Sequence, residues 1–219
     1  MARTTGSDGE KTRSAIDAAA KRLIADVGYQ AMSMRRLARE VGVQPATFYR
    51  YYPNKQHVLF SVMRDHMERL LDAWSRENRP EQAVKERLAA FIRFHIRYHV
   101  ERRNDVHIAN MELRSLSAAN LATIVALRSR YENSLRDILD DGVADHAFEI
   151  DDIALTARAI IAMTTGVSVW FREDDRLSVQ EIGETYVALG LRLVGARNIV
   201  TIEKGRGRNV PVGPKIRSF

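Results

Sequence analysis

The chain has no cysteine in its 219 residues, so disulfide frameworks, thiolate nucleophiles and thiolate metal sites are excluded. Proline and glycine are also scarce, at five and twelve, so long uninterrupted helices are expected in place of a turn-rich β fold. No stretch approaches the ~18 continuous apolar residues of a membrane span. The opening MARTTGSDGEKTR lacks the apolar core of a signal peptide. These absences predict a cytoplasmic protein with no membrane partner. Nucleotide-binding Walker loops, G-x-S-x-G elbows and convincing carboxylate pairs are missing too, and neither catalysis nor a cofactor is expected.

What is present is unevenly distributed. The net charge is +6, and the basic excess lies at the ends: residues 1–55 hold ten Lys/Arg against five Asp/Glu, and residues 197–219 hold six against one. The middle is acidic. A basic N-terminal module on an acidic body suggests that the module meets a polyanion and the body has another task. Residues 1–10 are small and polar and are expected to be disordered. Apolar residues then recur at Ile16, Ala19, Ala20, Leu23, Ile24 and Val27, the pattern of an amphipathic helix closed by Gly28. Helical patterns continue at roughly 55–76, 81–102, 105–115, 118–140, 150–171 and 178–196. Residues 197–219, with three Gly and two Pro among basic residues, predict a flexible tail.

Aromatic residues make up only 7% of the chain, yet four of them crowd into GVQPATFYRYYPNK at 42–55. Ser33 is a good N-cap for a short helix over MRRLAREV, and Gly42 ends it. Gln44 then takes the cap position and Pro45 the first helical position, where a missing N–H is harmless. Phe48 and Tyr52, four apart, share one face and are expected to be buried. Tyr49, Arg50 and Tyr51 point elsewhere. Pro53 stops the helix and Asn54 caps the next. Two short helices joined by a Gly-containing turn make a helix-turn-helix, whose second helix can enter a DNA major groove.

With Ala38, Gly42, Val43, Thr47, Tyr49, Tyr52, Pro53 and Lys55 in these places, the segment resembles the signature of the tetracycline-repressor (TetR) family of bacterial regulators. One departure is Pro45-Ala46, where many members have a polar residue followed by Gly. The resemblance implies an all-α protein. It further implies a three-helix DNA-binding head over 11–56, an effector-binding and dimerisation domain over 57–196, and a homodimeric repressor acting on operator DNA. Chemistry then suggests roles in the head. Thr47, Tyr49 and Lys55 offer donors to phosphates, as do Ser33 and Arg35 from the preceding helix. Base reading falls to Gln44, Pro45, Ala46 and either Arg50 or Tyr51. The alternative, a constitutive architectural DNA-binding protein, leaves a body of this size without a purpose.

The family pairs its last two helices with their copies in a four-helix bundle, and the sequence permits this. Ile153, Ala157, Ile161 and Thr164 form one stripe, and Ile182, Tyr186, Leu189 and Leu193 another. The family also encloses a ligand pocket between head and bundle. Its candidate walls are Phe91, Phe94, His95, Tyr98, His99, Met111, Met163, Val167 and Trp170, which suggest an effector with a large apolar part. An acyl-CoA or another lipid metabolite would have one. His95 and His99 lie one turn apart, but a zinc hydrolase needs Glu after the first His and Ile96 stands there. No metal is expected.

Overall fold

The apolar spacing that marks the first helix in the sequence becomes its buried face: Ile16, Ala19, Ala20, Leu23 and Ile24 are all in the core. The computed structural model describes residues 5–196, with side chains from Gly9 onward. Helix α1 is Thr5–Ala31, interrupted at Gly28, which takes φ 77°. The expectation of disorder over 1–10 is therefore corrected for residues 5–10, which extend α1 at its N-terminus. The expected tail at 197–219 lies outside the described residues.

Helix α2 is Met34–Val41. Its N-cap is Ser33, whose hydroxyl accepts the Arg36 N–H at 3.2 Å. Gly42, at φ 74°, closes it in a Schellman motif, donating to the Arg39 carbonyl while Val43 donates to that of Ala38. A side chain at 42 would be strained in this left-handed conformation. Helix α3, Pro45–Tyr51, follows α2 after three residues, Gly42, Val43 and Gln44. Phe48 is fully buried and Tyr52 nearly so, with ring centroids 6.3 Å apart. They pin α3 to α1 and α2.

Helix α4, Lys55–Glu77, starts from Asn54, whose side chain accepts the His57 N–H at 3.1 Å. The expected domain boundary after residue 56 falls in the first turn of α4, so one continuous rod belongs to both head and body. The body adds α5 (Val84–Glu101), α6 (Arg103–Met111), a 3₁₀ turn at Leu113–Ser115, α7 (Ala118–Ala144), α8 (Ile153–Trp170) and α9 (Val179–Leu193). Every described element is helical, as the sequence predicts.

Helix α5 is the axis of the body, packed by α4, α7, α8 and α9. Leu88, Phe91, Ile92 and Ile96 are fully buried. Gly190 on α9 allows that helix its close approach, since a Cβ there would stand 2.4 Å from Ile92 Cδ1. The hydrophobic core is one contiguous cluster from Ile16 in the head to Val194 after α9.

Candidate nucleic-acid interface and core cavity

The α2–α3 corner displays the basic and polar residues that the sequence singles out. Ser33, Arg35, Gln44, Pro45, Ala46, Tyr49 and Arg50 are exposed, with Tyr49 at 48%. Arg36 and Arg39, which motif reading passed over, are exposed on α2 as well. Thr47, Tyr51 and Lys55 are half-buried. Lys55 differs most from expectation as a free phosphate donor. Its ammonium donates to the Gln30 carbonyl at 2.9 Å and lies 4.3 Å from the centroid of the Tyr29 ring. Burial lowers its pKa. Three N–H donors leave it capacity for a further anion while it ties α4 to the end of α1.

Polar contacts then link head to body. Lys21 of α1 pairs with Asp105 of α6 at 2.9 Å, both largely shielded from solvent. Glu112, just after α6, accepts the Tyr29 N–H at 3.0 Å and the Ser115 hydroxyl at 2.7 Å. Gln56 of α4 donates to the Tyr29 hydroxyl and the Ser115 carbonyl, and its side-chain oxygen accepts the Ser117 N–H.

Inside the body, α4, α5, α6, α7 and α8 line a cavity of about 230 Å³ that is partly open to solvent, with the exposed Asn110 in its lining. Of the nine residues expected to line a pocket, only His95 and His99 do so. Phe91 and Phe94 instead both pack against Trp74, with ring centroids 5.0 and 5.3 Å away. Tyr98 packs beside the His66 ring, Val167 is buried in the core, and Met163 is half-buried near Gly190. Met111 and Trp170, the last residues of α6 and α8, face solvent. Because α5 is buried nearly all round, its large rings fill helix interfaces and the cavity is left to smaller and polar groups.

That lining is more polar than the sequence suggests, with His66, Asn110, Arg128, Tyr131, Glu132 and Thr165 around the two expected histidines. The His95 and His99 rings stack at 3.7 Å, tilted by 15°. His95 is fully engaged, with Nδ1 3.1 Å from the Tyr131 hydroxyl and Nε2 2.8 Å from that of Thr165. His99 Nδ1 donates to the His95 carbonyl at 2.8 Å. His66 Nδ1 is buried without a hydrogen-bond partner. Burial disfavours the charged imidazoles: the pKa of His66 falls to about 4, that of His99 to about 3, and that of His95 well below its ordinary value. Among the described residues no group of three His, Cys, Asp or Glu side chains is placed to hold a metal.

The stripe expected on α8 for pairing with a second copy needs correction. Ala157 and Thr164 are fully buried, Ile153 is half-buried, and Ile161 borders the cavity. The exposed stripe is displaced around the helix to Leu155 (64% exposed), Ala159, Ala162 and Val169 (71%), with the half-buried Gly166 between them. This helix is largely apolar, with Arg158 its one charged residue and a mean hydropathy of 1.5, yet only 28% of it is buried. On α9, Leu189 and Leu193 are exposed as expected, whereas Ile182 is buried and Tyr186 half-buried against the core.

Both halves of the chain match family models. Residues 16–62 match that of bacterial regulatory proteins of the tetR family, and residues 81–194 match the tetracyclin repressor-like C-terminal domain. The HTH-type transcriptional repressor KstR2 of Mycolicibacterium smegmatis is 28% identical over 194 residues, covering 87% of this chain and 94% of that protein. Among solved structures, a tetR-family regulatory protein from Rhodococcus RHA1 superposes with a TM-score of 0.81 at 28% identity, covering 86% of this chain and 99% of the other. AibR, solved with isovaleryl coenzyme A and operator DNA, superposes at 0.74 with 26% identity, over 81% and 97% of the two chains.

Proposed function

Because the chain belongs to the TetR family of bacterial transcriptional regulators, we propose that it is a homodimeric repressor whose grip on operator DNA is released when a small molecule fills the core cavity. One observation carries this reading: α4 bears both ends of the device. Its first residue, Lys55, follows α3 by only three residues and ties the rod to the end of α1, and His66, Met67 and Leu70 of the same helix border the cavity. Eleven residues of helix separate Lys55 from His66, about 16 Å of rigid rod. A ligand that displaces His66 or Met67 tilts the rod and with it the head, altering the separation of two recognition helices in a dimer. Major-groove half-sites one turn apart lie about 34–36 Å from each other, so small changes of separation are costly to DNA binding.

The exposed α8–α9 face supports dimerisation, since Leu155, Val169, Leu189 and Leu193 are large apolar side chains left in water by a single copy. The similarity to AibR, solved with isovaleryl coenzyme A, supports an acyl-bearing effector. The cavity of about 230 Å³ lies below the usual range of ligand sites and suits a short acyl group, with any coenzyme portion outside it. A protein acting on chromosomal DNA works in the cytoplasm.

Gel retardation of DNA from upstream of the protein's own gene tests the proposal. Specific retardation that survives competitor DNA and is abolished by a short-chain acyl-CoA is the expected result. Equal retardation of every duplex, with no response to acyl-CoAs, would instead support a constitutive architectural role.

A further inference from the structure

Among the described residues, no carboxylate pairs with the cation that lines the cavity. Arg128 projects from α7 into its lining and, among the described residues, is the one Lys or Arg bordering it. Its guanidinium donates to the Asn110 side-chain oxygen, a neutral partner. Burial alone lowers its pKa, with no carboxylate acting against that shift. The cavity's own carboxylate, Glu132, is engaged elsewhere, pairing with Arg136 and with Arg158 at 3.3 Å. A partly buried cation without an anion is costly, and such groups are found where a ligand supplies the missing charge.

A second polar residue lines the same space. His66 is 97% shielded from solvent, lines the cavity, and has Nδ1 without a hydrogen-bond partner. Leaving a buried polar atom unsatisfied is also destabilising. The unpaired charge is met if a ligand group accepts from the guanidinium and, alongside it, from an N–H of the His66 ring. Resting on the effector reading above, we propose that the cavity receives the carboxylate of a small organic acid, with Arg128 as counter-ion and His66 as hydrogen-bond donor. The acid is either free or the far end of a thioester-linked chain. His95, with both ring nitrogens occupied, positions the wall, and Thr165 and Tyr131 hold it.

Calorimetry and thermal unfolding of the full chain with glutarate, glutaryl-CoA and isovaleryl-CoA test this. Isovaleryl-CoA has the same coenzyme and a neutral acyl end. The expected result is at least about tenfold tighter binding of a carboxylate-ended probe than of isovaleryl-CoA. Binding of glutarate itself identifies a free acid; binding of glutaryl-CoA alone identifies a thioester. Arg128→Gln is expected to erase the preference, and Arg128→Lys, which keeps the charge without the planar fork, to retain part of it. The inference is overturned if isovaleryl-CoA binds as tightly as glutaryl-CoA, if none of the three binds, or if Arg128→Gln keeps the preference while circular dichroism shows native helix content. Carboxylate binding that fails to release DNA would count against the repressor mechanism and leave the anion site standing.

Discussion

Tyr49 and Tyr52 are three residues apart in one aromatic cluster and have opposite environments. Tyr52 is buried, its hydroxyl donating to Asp17 while lying 3.1 Å from that of Ser61. Burial and the carboxylate push its pKa up to about 12. Tyr52→Phe removes the donor and leaves Asp17, whose pKa burial already raises, without its main partner. The expected cost is about 1–3 kcal/mol of unfolding free energy, measurable by urea titration. Tyr49→Ala, at an exposed position, is expected to leave stability within about 0.5 kcal/mol and to weaken binding to specific and random DNA alike. Gln44→Ala should mainly relax sequence choice. Equal losses on both kinds of DNA for Tyr49 and Gln44 variants would contradict this division. The cavity histidines add a pH signature. Their native pKa values are depressed, so below about 6.5 the unfolded chain binds more protons than the native one, and stability falls with falling pH. For His66 the loss accumulates down to about pH 4 and for His99 to about pH 3. Each contributes about 1.4 kcal/mol per pH unit within its window. Replacing His66 by Gln should flatten the acid limb of a melting-temperature profile between pH 6 and 4, and an unchanged slope would show that His66 ionises freely.

At the scale of elements, how much could be read in advance depended on whether a helix has one apolar face or several. Scarce Pro and Gly and the apolar periodicity place the helices of the body close to their observed spans, and the Ser33, Gly42, Pro45 and Asn54 signals fix the helix-turn-helix. The faces of α8 were less legible. Ile153, Ala157, Ile161 and Thr164 make a good stripe, and so do Leu155, Ala159, Ala162 and Val169 on the other side; hydrophobic spacing cannot say which one meets α5. The cavity was hidden for another reason. His66, Asn110, Arg128 and Thr165 come from four helices, and no local periodicity relates residues so far apart in the chain. A signal did exist at His66, an ionisable residue in the otherwise apolar stripe of Leu59, Val62, Met63, Met67 and Leu70. The two faces of α8 separate experimentally. Ala162→Glu, on the exposed face, is expected to give a folded monomer by light scattering, because a charge there disrupts a helix–helix interface without touching the core. Ala157→Leu, on the buried face, should instead cost about 1–3 kcal/mol through overpacking and leave the oligomeric state unchanged. A dimeric Ala162→Glu protein would place the interface elsewhere.

At the scale of the whole molecule, regulation requires the head to move as a unit while the body keeps its fold. The contiguous core and the shared α4 oppose such independence, and the polar links at the junction set how far it extends. Lys21–Asp105 is a largely shielded ion pair joining the two parts, and Asp105 lies on the same short helix as the cavity residues Val106, Ala109 and Asn110. Removing one member of such a pair leaves an uncompensated charge, so Lys21→Met is expected to cost about 2 kcal/mol, short of the full penalty for a dry interior because both side chains keep some water. For a chain of this length that is a fall of roughly 4–8 °C in melting temperature. The distribution of the loss matters more than its size. If the pair fastens a head that can tilt on α4, hydrogen exchange should quicken in α1, α2 and α3 of the Lys21→Met protein while α5 and α8 keep their protection. Adding Asp105→Leu should restore most of the loss by removing the orphaned charge. An equal loss of protection in every helix would mean that head and body open only together, leaving filling of the cavity without a mechanical route to the DNA-facing surface.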